Sequence, residues 1–446
     1  MRAIKLTLFS VLIIPAALWL LADSLIPDPF TYFSFRSVFV QFSGILAIVA
    51  MSVAVVLALR PRWLEERMHG LDKMYRLHKW LGITALSISV MHWWLAKGTK
   101  WMVGWGWLEK PQRERGAEPT LGFIEQLLHD QRHFAEEVGE WGFYILVAFL
   151  LLALIKRFPY RLFQKTHLLI AVVYLVMAYH SLILLKFEYW TQPIGWLMAM
   201  ALVAGVVSAV LALSGKVGAG RKVDAKVTRL HHYPGLKVLE TELTLDEGWP
   251  GHAEGQFAFL TIDKSEGAHP FTIASDWDPQ THRMRFITKS LGDFTARMPE
   301  LLKVGDRVSV EGPYGKFTFE DSQARQIWVG AGIGITPFIA RMNRLARNGN
   351  SNGKTIDLFH PSADVDEAAI EKLRADAEAA GIKLHLILGR EKPLVDGEMI
   401  RKAVPDWRDA SLWFCGPATF GARLKQNFAA AGFAGERFHQ ELFQMR

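Results

Sequence analysis

The sequence has one cysteine, Cys415, and little charge for its length. A lone cysteine cannot form a disulfide within the chain, so a disulfide-stabilised scaffold is excluded. Charged residues make up 21% of the 446 residues and apolar residues 50%, a composition that excludes intrinsic disorder. The net charge of +7 would suit a nucleic-acid binder, but much of the excess lies in short loops between apolar runs. That pattern indicates a membrane protein.

Long apolar runs are absent after Gly215 and frequent before it. A helix needs about 20 apolar residues to cross a bilayer. Six runs approach or reach this length: 4–25, 37–59, 78–96, 141–155, 166–185 and 193–213. The fourth is short unless Val138 and Gly139 extend it. The sequence therefore predicts a six-helix transmembrane bundle in residues 1–215, followed by a soluble half.

Lysine and arginine in the short loops predict the orientation of the bundle. Four basic segments, within 2–5, 60–76, 156–165 and 216–222, fall on one side if the N-terminus is inside. The soluble half is then cytoplasmic and the loop 97–140 is outside, where 121–138 is expected to form an amphipathic surface helix. A signal peptide is the alternative interpretation of the first run. We favour an uncleaved helix, because six spans return the soluble half to the inside.

Four histidines lie within predicted spans, where ionisable residues are costly and usually functional. His78 and His92 belong to the third span, and His167 and His180 to the fifth. Both spans run in the same direction, so the histidines form two cross-helix pairs at levels about 20 Å apart. Such imidazole pairs are an axial ligand set for haem iron. The competing interpretations are histidines hydrogen-bonded within the bundle, or zinc transport, although neither span contains Asp or Glu.

The two histidine spacings differ in their helical geometry. Fourteen residues separate His78 from His92, which brings the second ring back to within about 40° of the first. Thirteen residues separate His167 from His180, which leaves these rings about 140° apart on a straight helix. The fifth helix is therefore expected to bend, to carry a bulge, or to present its rings from different edges.

The soluble half changes pattern near residue 323. Short strands are predicted at 226–230, 237–245, 256–262, 283–288 and 307–311, with a turn at Pro234 and Gly235. Their spacing indicates a small antiparallel barrel over 216–322. Strands at 326–329, 355–359, 384–388 and 411–414 then alternate with helices such as 337–347 and 368–380. That alternation predicts an open parallel α/β sheet over 323–446.

Several motifs of the soluble half indicate anion binding. In 289–295, Gly292 and a capping Asp293 are expected to open a helix at Phe294, whose free amides can face an anion. In 329–337, glycines lead from a strand into a helix with proline in its first turn, which suits a pyrophosphate. Cys415 ends a later strand, where a ligand crevice is expected in such a sheet. As bare motifs these are weak, since turns, caps and a buried small residue are the ordinary alternatives.

Taken together, these residues resemble the ferric reductase and NADPH oxidase superfamily. The resemblance covers nearly the whole chain and implies a six-helix, two-haem membrane domain fused to a ferredoxin-reductase-like FAD and NAD(P) module. The histidine spacings of 14 and 13 residues are similar to those of the family. It thus implies His78 and His167 as ligands of an inner b-type haem, and His92 and His180 as ligands of an outer one.

The resemblance also implies roles in the soluble half. The segment 269–275 resembles the family's flavin motif, with Thr272 at the isoalloxazine edge, and 289–295 resembles its FAD pyrophosphate segment. The glycine segment and the Cys-Gly-Pro segment resemble its nicotinamide nucleotide motifs, with Cys415 beside the nicotinamide. Phe443 is the candidate aromatic cover of the flavin. The residues implied to bind cofactor are His269, Pro270, Phe271, Thr272, Ile273, Ser275, Lys289, Gly292, Thr295, Gly330, Gly332, Gly334, Thr336, Pro337, Gly416 and Pro417.

The sequence departs from the family where nucleotide choice is decided. The strand at 356–359 is followed by His360, Pro361 and Ser362, without an arginine to clamp a 2′-phosphate. Arg390 or Arg341 could substitute, although Arg341, Arg344 and Arg347 are expected to form a solvated helix face. The sequence therefore does not decide whether the nucleotide is NADPH or NADH.

The function implied is electron transfer from cytosolic NAD(P)H through FAD and two haems to an acceptor outside a bacterial-type inner membrane. Metal reduction, with a ferric or cupric chelate as acceptor, is favoured over reduction of dioxygen. Trp101, Trp105 and Trp107 of the outer loop suit an interfacial aromatic belt better than an acceptor site. The alternatives are an electron-donor subunit that docks an extracytoplasmic partner, and a membrane-anchored flavin reductase without haem.

Overall fold

The computed structural model describes residues 2–109, 121–155, 157–263, 265–349, 353–389 and 395–441. The chain divides after Val217 into two compact units. The first unit is helical, and the second is built around two β-sheets. A membrane helical domain followed by an antiparallel and a parallel sheet is the architecture predicted from the sequence.

The first unit contains nine α-helices among its described residues. They are α1 (Arg2–Leu20), α2 (Tyr32–Ala58), α3 (Arg62–Met68), α4 (Leu71–Trp93), α5 (Thr99–Gly104), α6 (Phe123–Asp130), α7 (Arg132–Leu154), α8 (Tyr160–Leu184) and α9 (Pro193–Leu213). By length and composition, α2, α7, α8 and α9 are the four described helices that could cross a membrane. The apolar part of α1 is shorter, and the first turns of α4 are charged. Helix length and apolarity therefore do not confirm a count of six spans.

The outer segment before α7 differs from the prediction. The expected amphipathic helix over 121–138 is interrupted at Gln131, so that α6 ends at Asp130 and α7 begins at Arg132. The fourth apolar run is therefore part of a 23-residue helix rather than a short span. The charged residues at its start, which ended the apolar run in the sequence, belong to its first turns.

The second unit begins with a six-stranded antiparallel sheet. Its strands are β1 (Lys222–Tyr233), β2 (Val238–Leu245), β3 (Phe257–Thr261), β4 (His269–Thr272), β5 (Arg283–Lys289) and β6 (Arg307–Tyr314), in the order β4-β3-β6-β1-β2-β5. A bridge between Ile273 and Phe286 joins the two edges, which closes the predicted barrel. The sequence analysis missed β4, because Pro270 argues against a strand. The fully buried Phe286 belongs to the core that fills this barrel.

A five-stranded parallel sheet follows. Its strands are β7 (Arg325–Gly330), β8 (Thr355–Ser362), β9 (Lys383–Leu388), β10 (Ala410–Cys415) and β11 (Phe438–Gln440), in the order β11-β10-β7-β8-β9. The helices of this second unit are α10 (Asp293–Leu301), α11 (Thr336–Asn348), α12 (Glu367–Ala379), α13 (Gly397–Ala403) and α14 (Ala418–Ala430). The parallel α/β sheet is as predicted, with β11 as an additional edge strand.

Candidate metal and nucleotide sites

The four histidines of the first unit come together as two pairs. The ring centres of His78 and His167 are 5.7 Å apart, with 67° between the ring planes. Those of His92 and His180 are 6.3 Å apart, with 80° between the planes. Helices α4 and α8 each contribute one ring to each pair. The pairing is the one that the sequence spacing predicted.

Backbone carbonyls and a hydroxyl fix three of the four rings. The Nδ1 atom of His78 lies 2.8 Å from the carbonyl oxygen of Ala54, and that of His180 lies 2.8 Å from the carbonyl oxygen of Ala135. The Nδ1 atom of His92 lies 3.1 Å from Oγ of Ser43. A neutral imidazole that donates through Nδ1 keeps its lone pair on Nε2, which is the usual arrangement of a metal-binding histidine.

His167 is held by packing instead. Its ring stacks on Phe163, with centres 5.1 Å apart and 23° between the planes. Its Nδ1 atom is buried and makes no hydrogen bond within the described part of the chain. Helix α8 is regular from Tyr160 to Leu184, so the 13-residue spacing is met by rings that leave different edges of this helix. A π-helical turn does occur, but in Trp94–Gly98, directly after α4.

The geometry of both pairs fits an iron held between two imidazoles. Each metal–nitrogen bond is about 2 Å long, and each nitrogen lies about 1 Å from the centre of its ring. The centres of two imidazoles on opposite sides of one metal are therefore about 6 Å apart. The observed separations of 5.7 and 6.3 Å lie on either side of this value. No cluster of three or more His, Cys, Asp or Glu suited to a metal occurs among the described residues, so each pair would bind its metal through two protein ligands.

The flavin-motif candidates lie on β4 and directly after it. His269 stacks on Phe294 of α10, with ring centres 3.8 Å apart and 8° between the planes. The stacking therefore joins the two segments that the sequence analysis singled out in the barrel. Pro270 and Phe271 pair with β3, as does Thr272. Beyond Ile273, Oγ of Ser275 accepts a hydrogen bond from the backbone amide of Arg285 at 3.1 Å.

A buried histidine supports the end of this segment. His252 donates from Nε2 to the carbonyl oxygen of Ser275 at 3.1 Å and accepts from Nε1 of Trp249 at 3.3 Å. Burial lowers the pKa of His252 to about 4. The neutral ring therefore keeps one donor and one acceptor at neutral pH, as these two bonds require.

The predicted anion segment before α10 is arranged differently from the expectation. The helix begins at Asp293, so the capping residue is Gly292 and not Asp293. Oγ1 of Thr295 accepts hydrogen bonds from the amides of Leu291 at 3.0 Å and Gly292 at 3.1 Å. These two amides are thus bonded to Thr295 and are not the ones that would face an anion. Nζ of Lys289 bonds Oδ2 of Asp364 at 2.8 Å.

The glycine segment and the Cys-Gly-Pro segment meet at the carboxyl edge of the parallel sheet. Gly330 ends β7 and is in register with Cys415 at the end of β10. A Cβ atom on Gly416 would lie 2.7 Å from Cβ of Ala331, and one on Gly334 would collide with the carbonyl of Cys415. Only glycines allow this approach of two backbones. A short 3₁₀ turn, Gly332–Ile335, then leads into α11 with Thr336 and Pro337 in its first turn.

The thiol of Cys415 is buried in the core of the parallel sheet. Burial, followed by the effect of Glu441, raises the pKa of this thiol. The side chain is therefore a neutral, small neighbour of the crevice and not a nucleophile. Pro417 precedes α14 and caps it without a side-chain bond.

Sequence comparison identifies the first unit. Residues 43–178 match the family described as ferric reductase like transmembrane component. The chain carries a ferric-reductase-like transmembrane domain. The matched segment contains His78, His92 and His167, and His180 lies two residues beyond it.

Curated relatives are oxidoreductases that the chain matches in part. It is 27% identical over 218 residues to respiratory burst oxidase homolog protein E of Arabidopsis thaliana, covering 42% of this chain and 22% of that protein. It is 29% identical over 197 residues to the heme-dependent oxidative N-demethylase beta subunit of Ectopseudomonas mendocina, covering 44% of this chain and 60% of that protein. The chain thus spans about a fifth to three fifths of these relatives' lengths.

Solved structures show a weaker likeness. A flavohemoglobin from Malassezia yamatoensis is 15% identical with a TM-score of 0.46, covering 91% of this chain and 98% of that one. The ferredoxin reductase in carbazole 1,9a-dioxygenase is 18% identical with a TM-score of 0.42, covering 50% of this chain and 69% of that one. The ferric-reductase-like domain is followed in this chain by the unit with an antiparallel and a parallel sheet.

Three residues beside these sites, Arg285, His360 and Glu254, were assigned no role from the sequence. The guanidinium of Arg285 bonds the carbonyl oxygen of Ala274, Oδ1 of Asn343 and Oε1 of Glu240, so it ties the flavin-motif segment to α11. His360 Nδ1 lies 2.7 Å from the carbonyl oxygen of Gly330. The third is Glu254, which pairs with Arg341. The only available signal for Arg285 was its position in an alternating strand.

The arginines of α11 correct one expectation. Arg341 is not part of a solvated face, because only 17% of its side chain is exposed and it pairs with Glu254 at 2.9 Å. Arg347 is 40% exposed, as expected, and pairs with Asp276. Both carboxylates belong to the barrel, so these pairs join the two sheets of the module. Arg390 and Phe443, the other candidates for nucleotide and flavin contact, lie outside the described residues.

Proposed function

We propose that the chain transfers electrons across a membrane, from NADPH or NADH on the cytoplasmic side to a one-electron acceptor on the other side. The proposal rests on the two histidine pairs, which lie at two levels between helices α4 and α8. Two metal centres at different depths would carry electrons through an apolar barrier. No other described feature of the ferric-reductase-like domain supplies such a pathway.

The proposed division of labour follows the chain. Residues 1–215 would hold two b-type haems, residues 216–322 would bind FAD, and residues 323–446 would bind NAD(P)H. When bound, FAD and haem supply the conversion of a two-electron hydride donor into single-electron transfer. The glycine turn of 330–337 would cradle the nucleotide pyrophosphate, and Thr272 would lie at the flavin edge.

The protein groups act by position rather than by acid–base chemistry. Bonds from Nδ1 of His78 and His180 orient the rings and set the tautomer that leaves Nε2 for iron. All four rings are half-buried in the helical unit. The un-ionised thiol of Cys415 fits a role as a small, unreactive neighbour of the nicotinamide. No proton donor is required at depth, which agrees with the lack of Asp and Glu in the spans that carry the histidines.

For the acceptor, we propose a ferric or cupric chelate, with dioxygen as the second candidate. The ferric reductase description of the matched family supports the former, and the respiratory burst oxidase relative supports the latter. An extracytoplasmic protein partner is a further possibility for the same electron path. The basic loops support a bacterial-type inner membrane location, with the N-terminus and the flavin module in the cytoplasm.

The test is an anaerobic absorption spectrum of the purified full-length protein with FAD, before and after addition of NADPH and then of NADH. We expect a two-haem b-type difference spectrum to develop on nucleotide addition. Subsequent addition of a ferric chelate or of dioxygen would identify the acceptor by the return of the oxidised spectrum. A flavin signal without haem would overturn the proposal and leave a membrane-anchored flavin reductase.

A histidine substitution tests the assignment of the outer pair. His92→Ala removes one ligand of the outer pair, so we expect the haem content to fall from about two to about one per chain. Reduction of the acceptor should be lost, while nucleotide-dependent reduction of FAD persists. His133→Ala is the matched control, because its side chain is 86% exposed in the first turn of α7. An unchanged haem content in His92→Ala would contradict the assignment.

A further inference from the structure

A cleft in the second unit lies between the barrel and the parallel sheet. It encloses about 110 Å³ and is lined on the barrel side by residues of β2 and β5, and on the other side by Gly332 and the segment after β8. The parallel strands β7 and β8 are neighbours, so the glycine turn after β7 and the loop after β8 share one edge of the sheet. In a nucleotide-binding sheet, this position is where the adenosine ribose of the dinucleotide lies, next to the pyrophosphate.

Acidic groups outnumber basic ones in this cleft. The described lining residues include four carboxylates, from Glu240, Asp364, Asp366 and Asp376, against the ammonium groups of Lys289 and Lys372. Both lysines are already bonded to carboxylates. Lys289 contacts Asp364 at 2.8 Å, and Lys372 contacts Glu240 at 3.0 Å. A dianionic phosphate group would have to compete with these carboxylates for its counter-charge.

Three further basic side chains of the described second unit have partners of their own. His360 is neutral at physiological pH, because burial lowers its pKa, and its Nδ1 atom is bonded to Gly330. Arg341 pairs with Glu254, whose side chain is only 9% exposed. Arg347 pairs with Asp276. Two of the three arginines of α11, Arg341 and Arg347, thus already neutralise carboxylates of the barrel.

Asp364 stands two residues after β8, next to the glycine turn in the cleft lining. An acidic residue after the second strand of a nucleotide-binding sheet accepts a hydrogen bond from the ribose 2′-hydroxyl, whereas an arginine there accommodates a 2′-phosphate. A carboxylate offers about four acceptor positions, and the bond from Nζ of Lys289 takes one of them.

We propose that this cleft selects NADH over NADPH, and that Asp364 is the residue that determines the specificity. The proposal rests on the function proposed above, and it settles the choice that the sequence left open. A 2′-phosphate would be repelled by Asp364 and would find its nearest cations paired, whereas a 2′-hydroxyl can donate to the same carboxylate.

The experiment compares NAD⁺ and NADP⁺ binding to the full-length, cofactor-loaded protein by isothermal titration calorimetry. Anaerobic reduction rates with NADH and NADPH are measured in parallel. We expect NAD⁺ to bind at least about tenfold more tightly, which is about 1.4 kcal/mol. Asp364→Asn removes the charge and releases Lys289, so NADP⁺ affinity should rise several-fold. Glu367→Gln is the matched control, because it changes an exposed carboxylate at the start of α12 that does not line the cleft.

Equal or tighter binding of NADP⁺ to the unmodified protein would overturn the proposal. So would a preference for NAD⁺ that Asp364→Asn leaves unchanged. If NADP⁺ is preferred and Arg390→Ala abolishes that preference, Arg390 provides the clamp and the proposal is wrong. Failure of the proposed function is a separate result, namely that neither nucleotide reduces FAD and haem.

Discussion

At the scale of single residues, the proposed metal sites depend on the groups that contact Nδ1 of each imidazole, on the side of the ring away from the metal. A carbonyl oxygen at 2.8 Å holds one ring of each pair, and such partners set both ring orientation and ligand basicity. The approach of the helices matters equally, since a Cβ atom on Gly139 of α7 would collide with the ring of His180. Gly139 therefore permits the contact that brings the carbonyl of Ala135, one turn earlier on α7, to this histidine.

We predict that Gly139→Ala disturbs the outer pair selectively. The added methyl group displaces the His180 ring and breaks its bond to Ala135, so haem content should fall towards one per chain. The inner pair, His78 and His167, should keep its haem and its spectrum. The measurement is the haem-to-protein ratio together with the reduced difference spectrum.

Gly82→Ala in α4 is the control for this substitution. A Cβ atom at Gly82 meets nothing within 4 Å, so the same change in a helix of the same unit should leave haem content unaltered. Two haems retained in Gly139→Ala would show that the ring of His180 is free to move, and would remove this constraint from the site.

At the scale of secondary-structure elements, one carboxylate ties the strands of the parallel sheet to the segment that enters it. Asp321 accepts hydrogen bonds from Oγ of Ser411 at 2.5 Å and from Nε1 of Trp413 at 3.1 Å, both on β10. It also accepts from Gln326 of β7 at 3.1 Å and from Nζ of Lys354 at 2.9 Å. These bonds outweigh the effect of burial and hold the pKa of Asp321 below its usual range.

We predict that Asp321→Ala lowers the free energy of unfolding of the second unit by about 3 kcal/mol, because it removes an acceptor shared by several buried donors and leaves the ammonium group of Lys354 without its carboxylate partner. Thermal unfolding of the full-length protein, followed by circular dichroism, measures the loss. Glu320→Ala, which changes the exposed neighbouring carboxylate, should shift the transition little. Equal shifts for the two variants would contradict this role of Asp321.

The same carboxylate gives a pH dependence of known sign. The folded-state pKa of Asp321 is depressed, so its contribution is fully present above the unfolded value near 3.8 and is lost as the pH falls through the folded pKa. The difference in melting temperature between the unmodified protein and Asp321→Ala should therefore shrink below about pH 4. A difference that grows on acidification would have the wrong sign.

At the scale of the whole molecule, one chain joins a ferric-reductase-like transmembrane domain to a unit with an antiparallel and a parallel sheet. Short basic loops are retained on the cytoplasmic side of a bacterial membrane. If the four basic segments share that side, the nucleotide and the final acceptor meet the protein on opposite faces.

We predict that NADH added to sealed membrane vesicles reduces the haems only when the vesicles are inside-out. Right-side-out vesicles should respond to added ferric chelate but not to added nucleotide, because neither charged compound crosses the bilayer. Detergent should remove the difference, which serves as the control for intact protein. Equal reduction in both vesicle preparations would contradict the proposed topology.

Much of this architecture could be predicted from local pattern. The apolar runs located six long helices of the first unit, and alternation and turns located nine of the eleven strands. The four histidines were identified by their depth in apolar sequence. The predictions that were wrong concern boundaries and caps, such as the break at Gln131 and the cap at Gly292. At these points single hydrogen bonds, rather than periodicity, decide where a helix begins.

The sequence by itself determined the two classes of domain and the residues available as metal ligands, because hydrophobic period and the cost of a buried imidazole act over neighbouring positions. Only the tertiary structure decided which partners those residues have. Ala135 and His180 are 45 positions apart, and Arg341 and Glu254 are 87 positions apart. Such contacts leave no periodic trace in the sequence. The pairing of Arg341 and Lys289 with carboxylates is also what supports the proposed preference for NADH, because a cation that already neutralises an acid is less available to a phosphate.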